Sequence, residues 1–209
     1  MSQRQPIIED RTYTVAEYLA LEEAAIEKHE YNRGRITARS GGSMNHSIIG
    51  NNINTELNLA LRPKGNDCRA MSGDLKIWID ASESFIYSDA MVGCGEAEFK
   101  DQKRNLLTNP TLIVEVLSDS TEKYDRGAKF QKYRSLLSFR EYVLINQYQP
   151  VVEVYYRADS SYWKMYTTIG LGGSIYLTSI DCTIQLADIY QNVRDLQEPE
   201  VRPTTPPAT

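Results

Sequence analysis

Glu115 is the only charged residue in the apolar run at 111–117 (TLIVEVL), and Asp89 the only one in the run at 86–92 (IYSDAMV). A carboxylate buried in such a run is costly unless it takes up a proton or meets positive charge. Both acids are therefore expected to face a cleft, a cation or a metal. If the two runs are neighbouring strands, their carboxylates converge and repel unless a cation lies between them. That arrangement suits Mg²⁺, a hard ion held by one or two carboxylates together with water. A metal so placed polarises a phosphoryl oxygen, lowers the pKa of an attacking water and stabilises the leaving oxygen.

A fixed positive charge would complete such a site. The strand period of two puts position 117 on the same face as Glu115, but that position holds Leu117. Lys129 can substitute from the following helix, where it shares a face with Asp125 and Tyr133 at four-residue spacing. Its ammonium is suited to orienting a water or balancing charge on a phosphate. Residues 121–140 carry six basic side chains (Lys123, Arg126, Lys129, Lys132, Arg134, Arg140) against two acids, Glu122 and Asp125. The 209-residue chain as a whole has a net charge of −5. Binding of a polyanion must therefore rest on this local patch rather than on a global field.

The elements that hold these residues follow from periodicity. Thr14 and Glu17 form a capping-box pattern ahead of a helix whose buried stripe is expected to be Val15, Tyr18, Leu19, Leu21 and Ala25. Residues 29–36 read as a hairpin turning at Asn32 to Gly34, and 45–61 as a second helix stopped by Pro63 and Gly65. Strands are expected at 68–72, 75–79 and 86–92, the last containing Asp89. A polar loop at 95–109 separates these from the Glu115 strand. After the basic helix come strands at 141–146, 151–156, 162–168, 174–177 and 183–186, then a short helix at 187–193. Val152, Val154 and Tyr156 alternate with Glu153 and Tyr155, as in an antiparallel sheet with one wet face.

Residues 14–196 are expected to form a single domain, with a loose segment at 1–13 and a disordered Pro-rich tail at 197–209. No apolar run reaches about 18 residues and no charged-then-apolar leader is present, so neither a membrane span nor a signal peptide is expected. The expected location is the cytoplasm. The three cysteines, Cys68, Cys94 and Cys182, form no C-x-x-C pair and are expected to be reduced packing residues. Exposed-looking aromatics in the β-rich C-terminal part suggest a homodimer.

Several blocks together resemble the Uma family, a domain of unknown function grouped with restriction endonucleases in the PD-(D/E)xK nuclease superfamily. They are Tyr31-x-x-Gly34, His46 with Ile49, Asp89-Ala90-Met91-Val92, Glu115-Val116-Leu117-Ser118, the stretch from Thr121 through Lys129 to Tyr133, and Glu141-Tyr142-Val143-Leu144. The resemblance runs from about residue 14 to 193. It implies an α/β (α+β) restriction-endonuclease-like core, with a mixed central sheet flanked by helices, and a Mg²⁺- or Mn²⁺-dependent phosphodiesterase site acting on nucleic acid, DNA above all. By motif, Asp89 and Glu115 are the metal acids, with the carbonyl of Val116 as a further ligand. Lys129 is a displaced lysine and Glu30 the helix-side acid. His46, Asp125, Arg126 and Tyr133 are candidates for supporting the ligands or touching substrate. Ser88 stands where the motif usually has proline.

Plainer readings compete with each assignment. Asp89 can cap a turn, Lys129 can be a solvated helix lysine, and His46 has no second ligand at zinc spacing. A catalytically inactive nucleic-acid- or protein-binding module would keep the same fold, and a hydrolase of smaller phosphoesters is a third possibility.

Overall fold

The computed structural model describes residues 11–39, 41–65 and 67–199. The lead-in before residue 11 and the tail from residue 200 lie outside the described residues. Tyr13, at the end of the expected loose segment, is buried, and its N–H donates to the Gly34 carbonyl at 2.8 Å.

Helix α1 (Val15–Ala24) begins with the predicted capping box: the Thr14 hydroxyl accepts from the Glu17 N–H, and the Glu17 carboxylate accepts from the Thr14 N–H. Its buried face is narrower than the sequence pattern suggests. Tyr18 is fully covered, whereas Leu21 is 44% exposed. The hairpin forms as β1 (His29–Asn32) and β2 (Arg35–Ala38), with Arg33 and Gly34 at positive φ in its two-residue turn. Helix α2 (Met44–Leu61) is capped by Ser43 and buries Ile49, Ile53, Leu57 and Leu61 on one stripe.

Strands β3 (Cys68–Ser72) and β4 (Lys76–Ile79) follow. The run at 86–92 is not one strand. It divides into β5 (Ser84–Tyr87) and β6 (Ala90–Cys94), which belong to different sheets, and Ser88 and Asp89 form the junction. Asp89 thus sits at a sheet switch, where a side chain can leave the pleated surface. The expected polar loop holds a short strand, β7 (Leu106–Leu107), ahead of β8 (Leu112–Leu117).

The basic helix is bent. It comprises α3 (Glu122–Tyr124), a wider π turn at Asp125–Lys129, and α4 (Phe130–Tyr133). Such π bulges recur at functional sites because they redirect side chains within a helix. The chain continues through β9 (Glu141–Asn146), β10 (Val151–Arg157), β11 (Trp163–Ile169), β12 (Ser174–Leu177), β13 (Cys182–Gln185) and α5 (Leu186–Ile189).

One sheet has the order β2-β1-β5-β4-β7, the other β11-β10-β9-β8-β6-β3; β12 and β13 form a separate hairpin. The six-stranded sheet is mixed: β8 and β9 run parallel and the other pairs antiparallel. Its two faces bury different sets. Ala90, Val92, Val114 and Val116 pack against α2, α5 and the β12–β13 hairpin. Met91, Ile113 and Leu117 pack with Tyr133, Phe139 and Tyr142, and through them with Ile77, Ile79 and Ile86 of the five-stranded sheet. A third cluster, including Tyr18, Tyr31, Trp78 and Phe85, closes α1 onto the hairpin and β4–β5. This is a mixed α/β fold of sheets flanked by helices. No described helix is long and apolar enough to cross a membrane.

The cysteines depart from expectation. Cys68 and Cys94 are directly opposed across β3 and β6 and form a disulfide, while Cys182 is free and buried. Their 26-residue separation gives no hint of the pairing; only the strand register brings them together.

Candidate functional site

Ala90 of β6 pairs with Val114 of β8, so Asp89, the residue before β6, comes close to Glu115, the residue after Val114. Both acids line one cleft at the start of β6. The Asp89 N–H donates to the Val114 carbonyl at 3.1 Å, and its carboxylate Oδ2 accepts from the Val116 N–H at 2.7 Å. This second bond fixes the side chain against β8.

Lys129 reaches the same place from the π turn. Its Nζ lies 2.8 Å from Glu115 Oε2 and 3.2 Å from Asp125 Oδ1, and all three side chains are nearly fully buried. Tyr133, one turn on, donates its hydroxyl to Glu115 Oε1 at 2.9 Å. Aromatic packing holds this bent helix in position. Phe130 stacks on Tyr142 of β9 at 5.0 Å, and the Tyr142 hydroxyl donates to the Asp125 carbonyl at 3.0 Å.

The N-terminal third of the chain supplies the opposite wall. Glu30 lies on strand β1, in the hairpin expected from the sequence. Its carboxylate accepts from the Tyr87 N–H at 3.2 Å and the Tyr124 hydroxyl at 3.4 Å. His46, near the start of α2, places Nε2 3.4 Å from Asp89 Oδ2. Arg39 donates to Asp89 Oδ1 and, at 3.3 Å, to the Ser88 carbonyl. Ser88 itself is buried, and its hydroxyl has no hydrogen-bond partner among the described residues.

Glu30, Arg39, His46, Asp89, Glu115, Val116, Asp125 and Lys129 all line one cleft of about 940 Å³. Tyr133 lies beneath it, under Glu115. Arg126 does not join them. Its guanidinium is held by both oxygens of Glu153 at 2.7 Å and by Glu122 at 2.7 Å. The basic patch is correspondingly divided: Arg126 and Lys129 are taken up by acids, whereas Lys123, Arg134 and Arg140 are exposed.

The charges are out of balance. Seven carboxylates line the cleft (Glu27, Glu30, Asp74, Asp89, Glu115, Asp119, Asp125) against three cations (Lys28, Arg39, Lys129) and one histidine. Burial alone would raise the pKa of Asp89, but the His46 hydrogen bond and the Arg39 charge override it and hold the carboxyl down at about 2. Glu115 moves the other way. Burial pushes it well above the usual range, Lys129 only partly offsets that, and Asp125 and Asp89 add to it. Lys129 is raised: burial works against its charge, and Asp125, Glu115 and Glu30 outweigh it.

Among the described residues, no three His, Cys, Asp or Glu side chains are gathered into a ready cage for a metal. Mg²⁺ needs fewer, since one or two carboxylates with water suffice. Asp89, held ionised by His46 and Arg39, and Glu115, shared with Lys129, are oxygen donors of the kind a hard divalent cation takes, in a cleft with more acid than base.

Arg39 was not singled out from the sequence, though a signal existed. Glu30 pairs with Thr37 in the hairpin, so Arg39, two residues on, falls on the face of Glu30. Gln147 was also missed. It is buried beyond the end of β9, accepts from the Ser43 hydroxyl at 2.5 Å and donates to the Leu117 carbonyl at 2.9 Å. It thereby ties the start of α2 to the end of β8.

Comparison with known proteins gives consistent results. Residues 15–183 match the family described as "Uma2: Putative restriction endonuclease". The Synechocystis sp. protein named "Uncharacterized protein sll1609" is 36% identical over 162 residues, covering 78% of this chain and 90% of its own. A second, "Uncharacterized protein slr1290", is 39% identical over 147 residues, covering 70% and 75%. The crystal structure of "a putative nuclease belonging to DUF820" from Anabaena variabilis is similar in fold, with a TM-score of 0.68 at 17% identity. That likeness covers 85% of this chain and 97% of the other.

Proposed function

Because the chain belongs to the Uma2 family, we propose that it is a metal-dependent nuclease hydrolysing phosphodiester bonds in nucleic acid, DNA first, with Mg²⁺ or Mn²⁺. The observation that carries this reading is the meeting of Asp89, Glu115 and Lys129 in one cleft. Two carboxylates in one cleft and a buried amine beside them suit hydrolysis of a phosphodiester better than they suit packing, because packing gains nothing from excess buried acid.

When bound, the ion supplies Lewis-acid polarisation of a phosphoryl oxygen and a water of lowered pKa. Asp89, Glu115 and the Val116 carbonyl are the proposed ligands. The Val116 N–H orients Asp89, and the Tyr133 hydroxyl orients Glu115. Lys129 keeps its proton and sets a fixed positive charge beside the place where phosphate charge builds up. Glu30, in the same cleft, is placed to take a proton from water or to hold a second cation. His46 and Asp125 support Asp89 and Lys129 respectively.

The exposed arginines and lysines beyond the cleft give a polyanion somewhere to dock. Although the Cys68–Cys94 bond is uncommon there, a cytoplasmic location, where nucleic acid is within reach, goes with this reading. So does a homodimer, for which Met165, Ile169 and Tyr176, about half exposed, offer an apolar surface.

One observation favours a second reading, an inactive nucleic-acid- or protein-binding module: all four oxygens of Asp89 and Glu115 already have protein partners. Incubation with supercoiled plasmid separates the two. The nuclease reading expects nicking with Mg²⁺ or Mn²⁺ that EDTA abolishes and that Asp89→Ala and Glu115→Ala both lack. Salt-sensitive binding without cleavage in any metal would leave only the module.

A further inference from the structure

The two oxygens of Asp89 are held differently. Oδ2 is bonded to the main chain of β8 and lies beside His46 on α2, both rigid elements. Oδ1 meets the guanidinium of Arg39, whose backbone is tied to the hairpin through its N–H to the Lys28 carbonyl at 2.8 Å. The Arg39 side chain is 22% exposed and lines the cleft. Its guanidinium contacts Asp89 Oδ1 and the Ser88 carbonyl, and both contacts face the cleft. A single positive charge on a partly exposed side chain therefore sits on the carboxylate oxygen that a cleft-bound cation would use.

We propose that Arg39 is an exchangeable place-holder. It neutralises Asp89 until a divalent ion displaces it from Oδ1, and the released guanidinium then binds a phosphate of the nucleic acid. The inference rests on the metal-dependent reading above and assigns the order of events in that site. A guanidinium and a metal cannot both contact one oxygen from the same side. Arginine, always charged and forked, is suited to exchanging a carboxylate for a phosphate.

The test uses Mn²⁺ alone, with the free ion measured by electron paramagnetic resonance. Losing a charge-assisted hydrogen bond that competes with the metal should make Arg39→Gln bind Mn²⁺ about ten- to a hundredfold more tightly than wild type. Lys28→Gln removes the same charge from the same cleft, but Lys28 bonds Gly73 and Asp74, not Asp89. It should change the affinity by less than about threefold. In Ca²⁺, binding of a short duplex DNA should weaken in Arg39→Gln. Its salt dependence should flatten by about 0.9 in log–log slope, one phosphate contact, and Arg39→Lys should restore that slope. A merely structural defect would weaken metal and DNA binding together.

Equal or weaker Mn²⁺ binding by Arg39→Gln, or an equal gain in Lys28→Gln, overturns the proposal. Should Arg39→Gln fail to fold, the wild-type protein answers the same question: the Arg39 Nε–Hε resonance, assigned with Arg39→Lys, should shift on adding Mg²⁺. An unmoved resonance overturns it. Asp89→Asn separates the two levels. If Mn²⁺ binds that variant as well as wild type, the metal site itself is elsewhere, and the underlying reading falls together with the role of Arg39.

Discussion

Replacing Lys129 with methionine removes the cation and keeps most of the volume. Glu115 and Asp125 then remain 1% and 3% exposed without their shared partner at 2.8 and 3.2 Å. Removing one member of a buried ion pair costs about 3–5 kcal/mol, because the charge left behind is uncompensated. Glu115 can escape by taking a proton, so the cost must depend on pH. Without Lys129, which holds it down, the folded-state pKa of Glu115 rises further above its unfolded value. Stability linked to a raised pKa is present below the unfolded value and lost as pH climbs through the folded value. The deficit of the variant should therefore be largest at neutral pH and smaller near about pH 5. Urea unfolding followed by the fluorescence of Trp78 and Trp163 measures both. Adding Glu115→Gln to Lys129→Met should recover a large part of the loss, since contacting residues are not additive. An unchanged midpoint at neutral pH, or a deficit independent of pH, would refute the buried cluster.

Three other outcomes follow from the same geometry. A Cβ on Gly73 would lie 2.3 Å from the Ser88 carbonyl oxygen, so Gly73→Ala must push the Ser88–Asp89 junction; weaker Mn²⁺ binding is expected, and unchanged binding would show that the junction is not held there. Closing a 26-residue separation, the Cys68–Cys94 bond should contribute about 3.5 kcal/mol by loop entropy; Cys68→Ser with Cys94→Ser should lose that amount in urea, and thiol titration of unreduced, denatured protein should find one thiol rather than three. Asp89 titrates at about 2 instead of 3.8, so its contribution is present above the unfolded value and lost as pH falls toward the folded one. That is worth about 2.5 kcal/mol. The stability of Asp89→Asn should be flatter than wild type across that acid window, and parallel curves would contradict the shift.

What could be read from sequence was local. The Thr14–Glu17 cap is a four-residue pattern, and both of its bonds form. Glu115 in an apolar strand and the four-residue spacing of Asp125, Lys129 and Tyr133 depend only on periodicity, and these side chains do meet. What was missed depends on pairing. The run at 86–92 has no Gly or Pro, and the polar pair Ser88–Asp89 inside it fits a strand as well as a junction, so the passage from one sheet to the other shows only in the pairing. The Arg39–Asp89 contact spans 50 residues, and the Cys68–Cys94 bond exists only because of the β3–β6 register. The π turn was not legible, because Gly127 marks a weak point in a helix without saying how it bends, and the Tyr142 hydroxyl that bonds the Asp125 carbonyl comes from a distant strand. Leu21 fits the helical period but has no element above it to bury it.

The central claim is that Asp89 and Glu115 act on one ion. Single-turnover DNA cleavage in Mn²⁺ by Asp89→Asn, Glu115→Gln and the double variant tests it. If the two acids share a metal, either single substitution should cost more than about a hundredfold, and the double should cost little beyond the worse single. Losses that multiply in the double variant, or cleavage that survives either single change, would contradict it.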